Sequence, residues 1–182
     1  MLAHGARDSF HSWTMLHHMR PVPEPPGPGQ ESVWDYPRPP RLERVAARIT
    51  VELGGVLIAD TSAAWRVLET SHPPTYYLPP EDFGPGALEA ADGSSFCEWK
   101  GRARYWHVKG GGEQRERVGW SYPSPTPAFA AMADHVAVYC HAMERCTVGG
   151  EVATPQPGAF YGGWVTSWVV GPFKGTPGSW GW

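Results

Sequence analysis

Cys97 opens the run Cys97-Glu98-Trp99-Lys100-Gly101, which sets a thiol beside an acid, an indole and an ammonium. A thiol becomes a nucleophile once a base takes its proton, and His72, His107 and His135 are the imidazoles that folding would have to bring to it. Glu69, Glu98 and Asp82 are carboxylates that folding could converge on Mg²⁺, the ion nucleotidyl transfer needs. The chain has no Asp-x-Asp pair. Gly110-Gly111-Gly112 lacks both the Gly-x-x-x-x-Gly-Lys-Ser/Thr frame and the helix that follows it in a phosphate loop. Cys97 and Glu98 are thus the candidate catalytic residues, and their spacing leaves turnover open, because a lone strand Cys is commonly an inert small hydrophobe.

A second constellation suits binding. Trp99, Trp120, Tyr122, Tyr161 and Trp164 offer flat walls, and Arg66, Glu69, His72, Glu98 and Lys100 offer groups that would orient a guest. Rigid rings bury a planar molecule at small entropic cost, and Arg or Lys suits an anionic or carbonyl-bearing part of it. Tyr77 joins this set as the end of Glu69-Thr-Ser-His-Pro-Pro-Thr-Tyr-Tyr77, where a strand stops at a rigid Pro-Pro corner. The expected ligand is a nucleotide or another heterocycle. In the competing reading the rings fill one another's space as the core of a small β domain, with Glu98 and Lys100 on a solvated strand face.

The rest of the composition narrows the setting. A chain of 182 residues suits one domain. With 15 Lys and Arg against 18 Asp and Glu, it carries no basic field of the kind that neutralises phosphates, so a nucleic-acid polymer is not the expected partner. Apolar runs such as Ala128 to Ala133 are far too short to cross a bilayer, and His4, His11, His17 and His18 break any signal-peptide pattern. Those scattered His are not expected to hold metal. Three Cys cannot close a disulfide framework, which fits a reducing cytoplasm.

With 22 Gly and 20 Pro, long helices are excluded in favour of short strands and turns. Residues 1–30 read as a Pro/Gly-rich flexible tail, 31–175 as one domain and 176–182 as a C-terminal tail. Ile49 to Leu53 and Val56 to Asp60 flank Gly54-Gly55 as a hairpin, with Leu53 opposite Val56 and Val51 opposite Ile58. Further strands are expected at Trp65 to Ser71, Thr75 to Leu78, Ser95 to Lys100, Ala103 to Val108 and Glu113 to Trp120, with a second Gly-Gly hairpin at Gly149-Gly150. Pro127 to Ala133 is the best helical stretch. Aromatics crowd the last part of the chain, and the segment after Gly171 would dock on a partner or a second copy in an interaction-module reading.

Trp34-Asp-Tyr-Pro-Arg-Pro-Pro40, Glu69 to Tyr77, Cys97 to Gly101, Trp120-Ser-Tyr-Pro123 and Phe160-Tyr-Gly-Gly-Trp164 follow in an order that resembles the family catalogued as domain of unknown function 427. The resemblance spans roughly residues 31 to 175. It implies a small, mainly β module with a tent-like arrangement of antiparallel sheets, similar to the zinc-supported tents of methionine sulfoxide reductase B and the ligand-binding domain of cereblon. The family's nucleotidyltransferase-like label puts nucleotide chemistry among the hypotheses. Zinc tents use Cys-x-x-Cys knuckles, and this chain has none; Cys140-His141 and Cys146 would need Cys97 to arrive from a distant strand. No structural zinc or other cofactor is expected, and aromatic packing would have to stand in for it.

Overall fold

The computed structural model describes residues 20–182, so the four His of the N-terminal stretch lie outside the described residues. In chain order the strands are β1 (Glu31–Ser32), β2 (Arg41–Arg44), β3 (Ile49–Leu53), β4 (Val56–Thr61), β5 (Trp65–Leu68), β6 (Thr75–Tyr77), β7 (Leu88–Cys97) and β8 (Gly101–Gly110). They continue with β9 (Glu113–Ser121), β10 (Val136–Val138), β11 (Arg145–Val148), β12 (Glu151–Val152), β13 (Thr154–Pro155), β14 (Trp164–Val165) and β15 (Val169–Val170). Among the described residues, helical structure is limited to 3-10 turns at Pro80–Asp82, Pro127–Met132 and Cys140–Ala142. The expected helix from Pro127 is one of these, with Phe129 and Met132 buried. None of the described helices is long and apolar enough to cross a membrane.

The fold is mainly β and antiparallel. Two four-stranded sheets, β12-β11-β3-β4 and β10-β9-β8-β7, dominate, and a three-stranded sheet β2-β5-β6 lies beside them. Small pairs β13-β14 and the parallel β1-β15 complete the set. Ile49, Val51, Leu53, Ile58, Cys146 and Val148 from one large sheet meet Val108, Val136 and Val138 from the other in an aliphatic core that also takes in Tyr76, Leu78 and Trp164. The hairpin around Gly54-Gly55 forms as expected, with both glycines at positive φ, as a primed turn requires. Its outer pair is Leu53 and Val56, but a bulge at Val51/Glu52 sets Val51 opposite Ala59 instead of Ile58. The β3–β4 turn meets the β8–β9 turn backbone to backbone. A Cβ on Gly54 would lie 2.3 Å from the Gly110 carbonyl oxygen, so only glycine lets the two turns touch.

Two other expectations change. The third strand stops at Leu68, because Ser71 takes a positive φ of 70° in the turn that follows. The strand before Gly101 starts at Leu88, and Glu98 to Lys100 form its hairpin turn, so strand alternation does not run through them. Residues 176–182 fold back onto the body: Trp182 stacks edge-on against Trp34 at 5.6 Å, and its main-chain oxygen accepts from the Lys174 ammonium at 2.9 Å. At the other end the Glu24 amide donates to the Gly171 carbonyl at 2.9 Å.

Candidate aromatic cleft

The sheet β10-β9-β8-β7 has two different faces. Val108, Val136 and Val138 point into the aliphatic core, whereas Ala103, Trp120 and Ala137 point the other way, as strand alternation dictates. On that second face lies an open cleft of about 770 Å³. The β5–β6 corner contributes Val67, Glu69, His72, Thr75 and Tyr77, and the β7–β8 turn contributes Cys97, Glu98, Trp99 and Lys100. Trp120, Tyr122 and Tyr139 follow from β9 and beyond, the loop after β13 brings Gln156, Phe160, Tyr161 and Gly162, and the segment after β15 brings Lys174.

The most deeply buried rings are fixed to one another. The Trp120 indole N–H donates to the Tyr77 hydroxyl at 3.1 Å, and Tyr139 stacks on Trp120 at 4.6 Å between centroids. Burial pushes the Tyr77 and Tyr122 phenols well above their usual range, so both stay protonated. The turn carrying Trp99 and Lys100 is tied down by Thr126, whose hydroxyl donates to the Trp99 carbonyl and whose amide donates to the Lys100 carbonyl. The Lys100 ammonium sits 5.8 Å from the Tyr122 ring centroid, in cation–π range.

Gly162 and Gly163 serve close contact within the aromatic loop. A Cβ on Gly162 would lie 2.1 Å from Cη2 of Trp120, and one on Gly163 would lie 2.5 Å from Oε1 of Gln156. Gln156, only 2% exposed, holds three partners: its Oε1 accepts from the Gly163 amide at 3.1 Å, and its Nε2 meets the Lys174 carbonyl at 2.8 Å and His72 Nδ1 at 3.0 Å. Burial, helped by the charges of Lys174 and Arg38, depresses His72 to about 3, so the imidazole is neutral. Its ring meets Tyr161 edge to face at 4.6 Å. Glu69 pairs with Arg38 at 3.3 Å.

Cys97, Glu98, Glu69, His72, Tyr77, Trp99, Lys100, Trp120, Tyr122 and Tyr161 are thus brought to one cleft. Arg66 and Trp164 are not. On β5 and β6 the pleat puts Val67, Thr75 and Tyr77 on the cleft side and Arg66 on the opposite side, beside its partner Tyr76. There Arg66 grips Glu31 with two hydrogen bonds of 2.9 Å and also binds Glu43. Trp164 is fully buried in the aliphatic core, tilted on Tyr76 at 5.2 Å and donating to the Val138 carbonyl at 3.2 Å. Sequence reasoning missed Gln156 and Lys174, and no spacing signal links either to Glu69–Tyr77.

The candidate bases separate in the same way. His107 Nδ1 accepts from the Arg117 amide and His135 sits against the Ala133 carbonyl; neither lines the cleft, and nor does Asp82. Cys140 and Cys146 are buried in the aliphatic core, apart from Cys97. Among the described residues no three His, Cys, Asp or Glu side chains are grouped as metal ligands.

Fold and cleft together define a small, mainly β domain with an aromatic-lined cleft at the junction of two sheets. The chain belongs to the family described as domain of unknown function (DUF427), whose model matches residues 41–149. That stretch runs from β2 to β11, so the Gln156–Lys174 side of the cleft lies beyond it. No curated protein matches the chain.

Proposed function

We propose that the chain binds a small planar molecule, a nucleotide or another heterocycle, in the aromatic cleft. One observation carries this reading: the rings of Trp99, Trp120, Tyr122 and Tyr161 border an open space of about 770 Å³ rather than filling it. That volume lies within the range of small-molecule sites, and apolar walls with a few fixed polar groups are what such sites use. The test is thermal unfolding of the full chain against a panel of nucleotides, nucleobases and other heterocycles. A ligand at a hundred times its dissociation constant adds about 2.7 kcal/mol to stability. Binding should appear for at least one planar compound and vanish in Trp99→Ala; an unmoved unfolding temperature across the panel contradicts the reading.

A thiol reaction is the second reading, supported by Cys97 being the one cysteine that lines the cleft. Its expected sign is a turnover lost on alkylation and in Cys97→Ser, but kept in Cys140→Ala. Turnover that survives both treatments of Cys97 refutes it. His72 is a poor base for that thiol, since its proton affinity is depressed to about 3.

A further inference from the structure

Gln156 leaves its neighbour no choice of tautomer. The amide oxygen is taken by the Gly163 N–H, so its NH₂ group faces the Lys174 carbonyl and His72 Nδ1. An NH₂ group donates, so Nδ1 must accept and the imidazole proton resides on Nε2. Nε2 has no partner among the described residues. His72, which lines the cleft, therefore carries a fixed N–H donor whose opposite edge is anchored by a buried amide.

The charges around this donor are uneven. Glu69 is matched by Arg38 at 3.3 Å, and Glu98 and Lys100 share the turn opposite. The Lys174 ammonium lies 5.7 Å from the Tyr161 ring centroid and donates to the Trp182 main-chain oxygen at 2.9 Å, which Arg38 also meets at 3.3 Å; no Asp or Glu side chain pairs with Lys174 among the described residues. Burial and the neighbouring Arg38 hold its pKa below the usual lysine value, and Lys174 in turn depresses His72. Burial is the larger cause of both shifts; repulsion among His72, Lys174 and Arg38 adds to it, and Glu69 partly offsets it at Lys174. A cation would meet like charge and the protonated edge of the imidazole.

Resting on the planar-ligand reading, we infer that the cleft end formed by His72, Gln156 and Lys174 is an oxyanion subsite. It takes the carboxylate or phosphate of a planar anion, with His72 Nε2–H donating and the Lys174 ammonium opposing the charge. Gln156 acts as a positioning residue.

Two matched pairs of probes test this on the full chain by titration calorimetry: nicotinate against nicotinamide, and adenosine 5′-monophosphate against adenosine. The anionic member of at least one pair should bind ten-fold tighter or more than its neutral twin, with the pair showing whether carboxylate or phosphate is preferred. Lys174→Met should cut that preference to a few-fold. Nitrogen-15 spectra of the imidazole, which need no variant, should show the His72 proton on Nε2; Gln156→Glu should move it to Nδ1 or protonate the ring, which a purely structural role for Gln156 would not do. Twins that bind alike overturn the subsite and leave the cleft reading standing, as does a His72 proton found on Nδ1 in the native chain. If no member of either pair binds, the cleft reading falls and the subsite with it.

Discussion

One sheet serves two regions that solve opposite problems. On one face of β10-β9-β8-β7, Val108, Val136 and Val138 interlock with Ile49, Val51 and Leu53, and the space is filled. On the other, Trp120 and Tyr122 lean on Tyr77 and Tyr139, and rigid rings leave a hollow that flexible aliphatics would close. The contrast is sharpest between two indoles. Trp164 is fully buried and bonded to a backbone carbonyl, whereas Trp99 sits half-buried on a turn at the cleft edge. Aromatic content alone does not open a cleft; the side of the pleat does.

Substitutions on the two faces should therefore separate stability from binding. Trp164→Ala should cost the most, about 3–5 kcal/mol in denaturant unfolding, through the cavity left in the core and the orphaned Val138 carbonyl. Gly162→Ala comes next: the added methyl must push Trp120 aside, at about 1–3 kcal/mol, and should weaken ligand binding as well. Trp99→Ala should change stability by less than about 1 kcal/mol while abolishing binding. An equal loss of stability from Trp99→Ala and Trp164→Ala would erase the distinction drawn between the faces.

Acid should separate the cleft from the Arg66 cluster. The folded His72 titrates near 3 against 6.5 for an ordinary imidazole, so between those values the unfolded chain binds the proton and stability falls as pH falls. On the far face of β5, burial raises the Glu31 carboxyl, but hydrogen bonds from Arg66 and Tyr36 outweigh it and hold the group below its ordinary 4.5. Its contribution is present above pH 4.5 and is lost as pH drops through the lowered value. His72→Gln should flatten the stability profile between pH 6.5 and 4.5, and Glu31→Gln should flatten it only below 4.5; unfolding midpoints across pH read both. The smallest effect belongs to Glu69→Gln, whose partly exposed pair with Arg38 is worth about 1 kcal/mol or less.

Turn chemistry and alternation made much of the β framework legible, because Gly54-Gly55 and Gly149-Gly150 mark hairpins whatever surrounds them. The bulge at Val51/Glu52 was not legible, since it rests on how β3 meets its neighbours. Trp99, Lys100, Trp120 and Tyr122 could be proposed as neighbours from motif content. Arg66 was misplaced for want of its own strand's pleat, which sets it on the face opposite Val67. Trp164 was misplaced because Gly163 presses its segment onto Pro73 and Gln156, and the next residue then turns into the core. Gln156 and Lys174 were invisible because a buried amide that bridges two loops carries no periodic signature.

The indole N–H resonances offer the most direct reading of the central claim. In a proton–nitrogen spectrum, titrating a compound that raises the unfolding temperature should shift the Trp99 and Trp120 signals and leave those of Trp34 and Trp164 in place. Shifts confined to Trp34 or Trp164, or shared evenly by all four, would mean that the guest binds elsewhere and that the space between the rings is not a site.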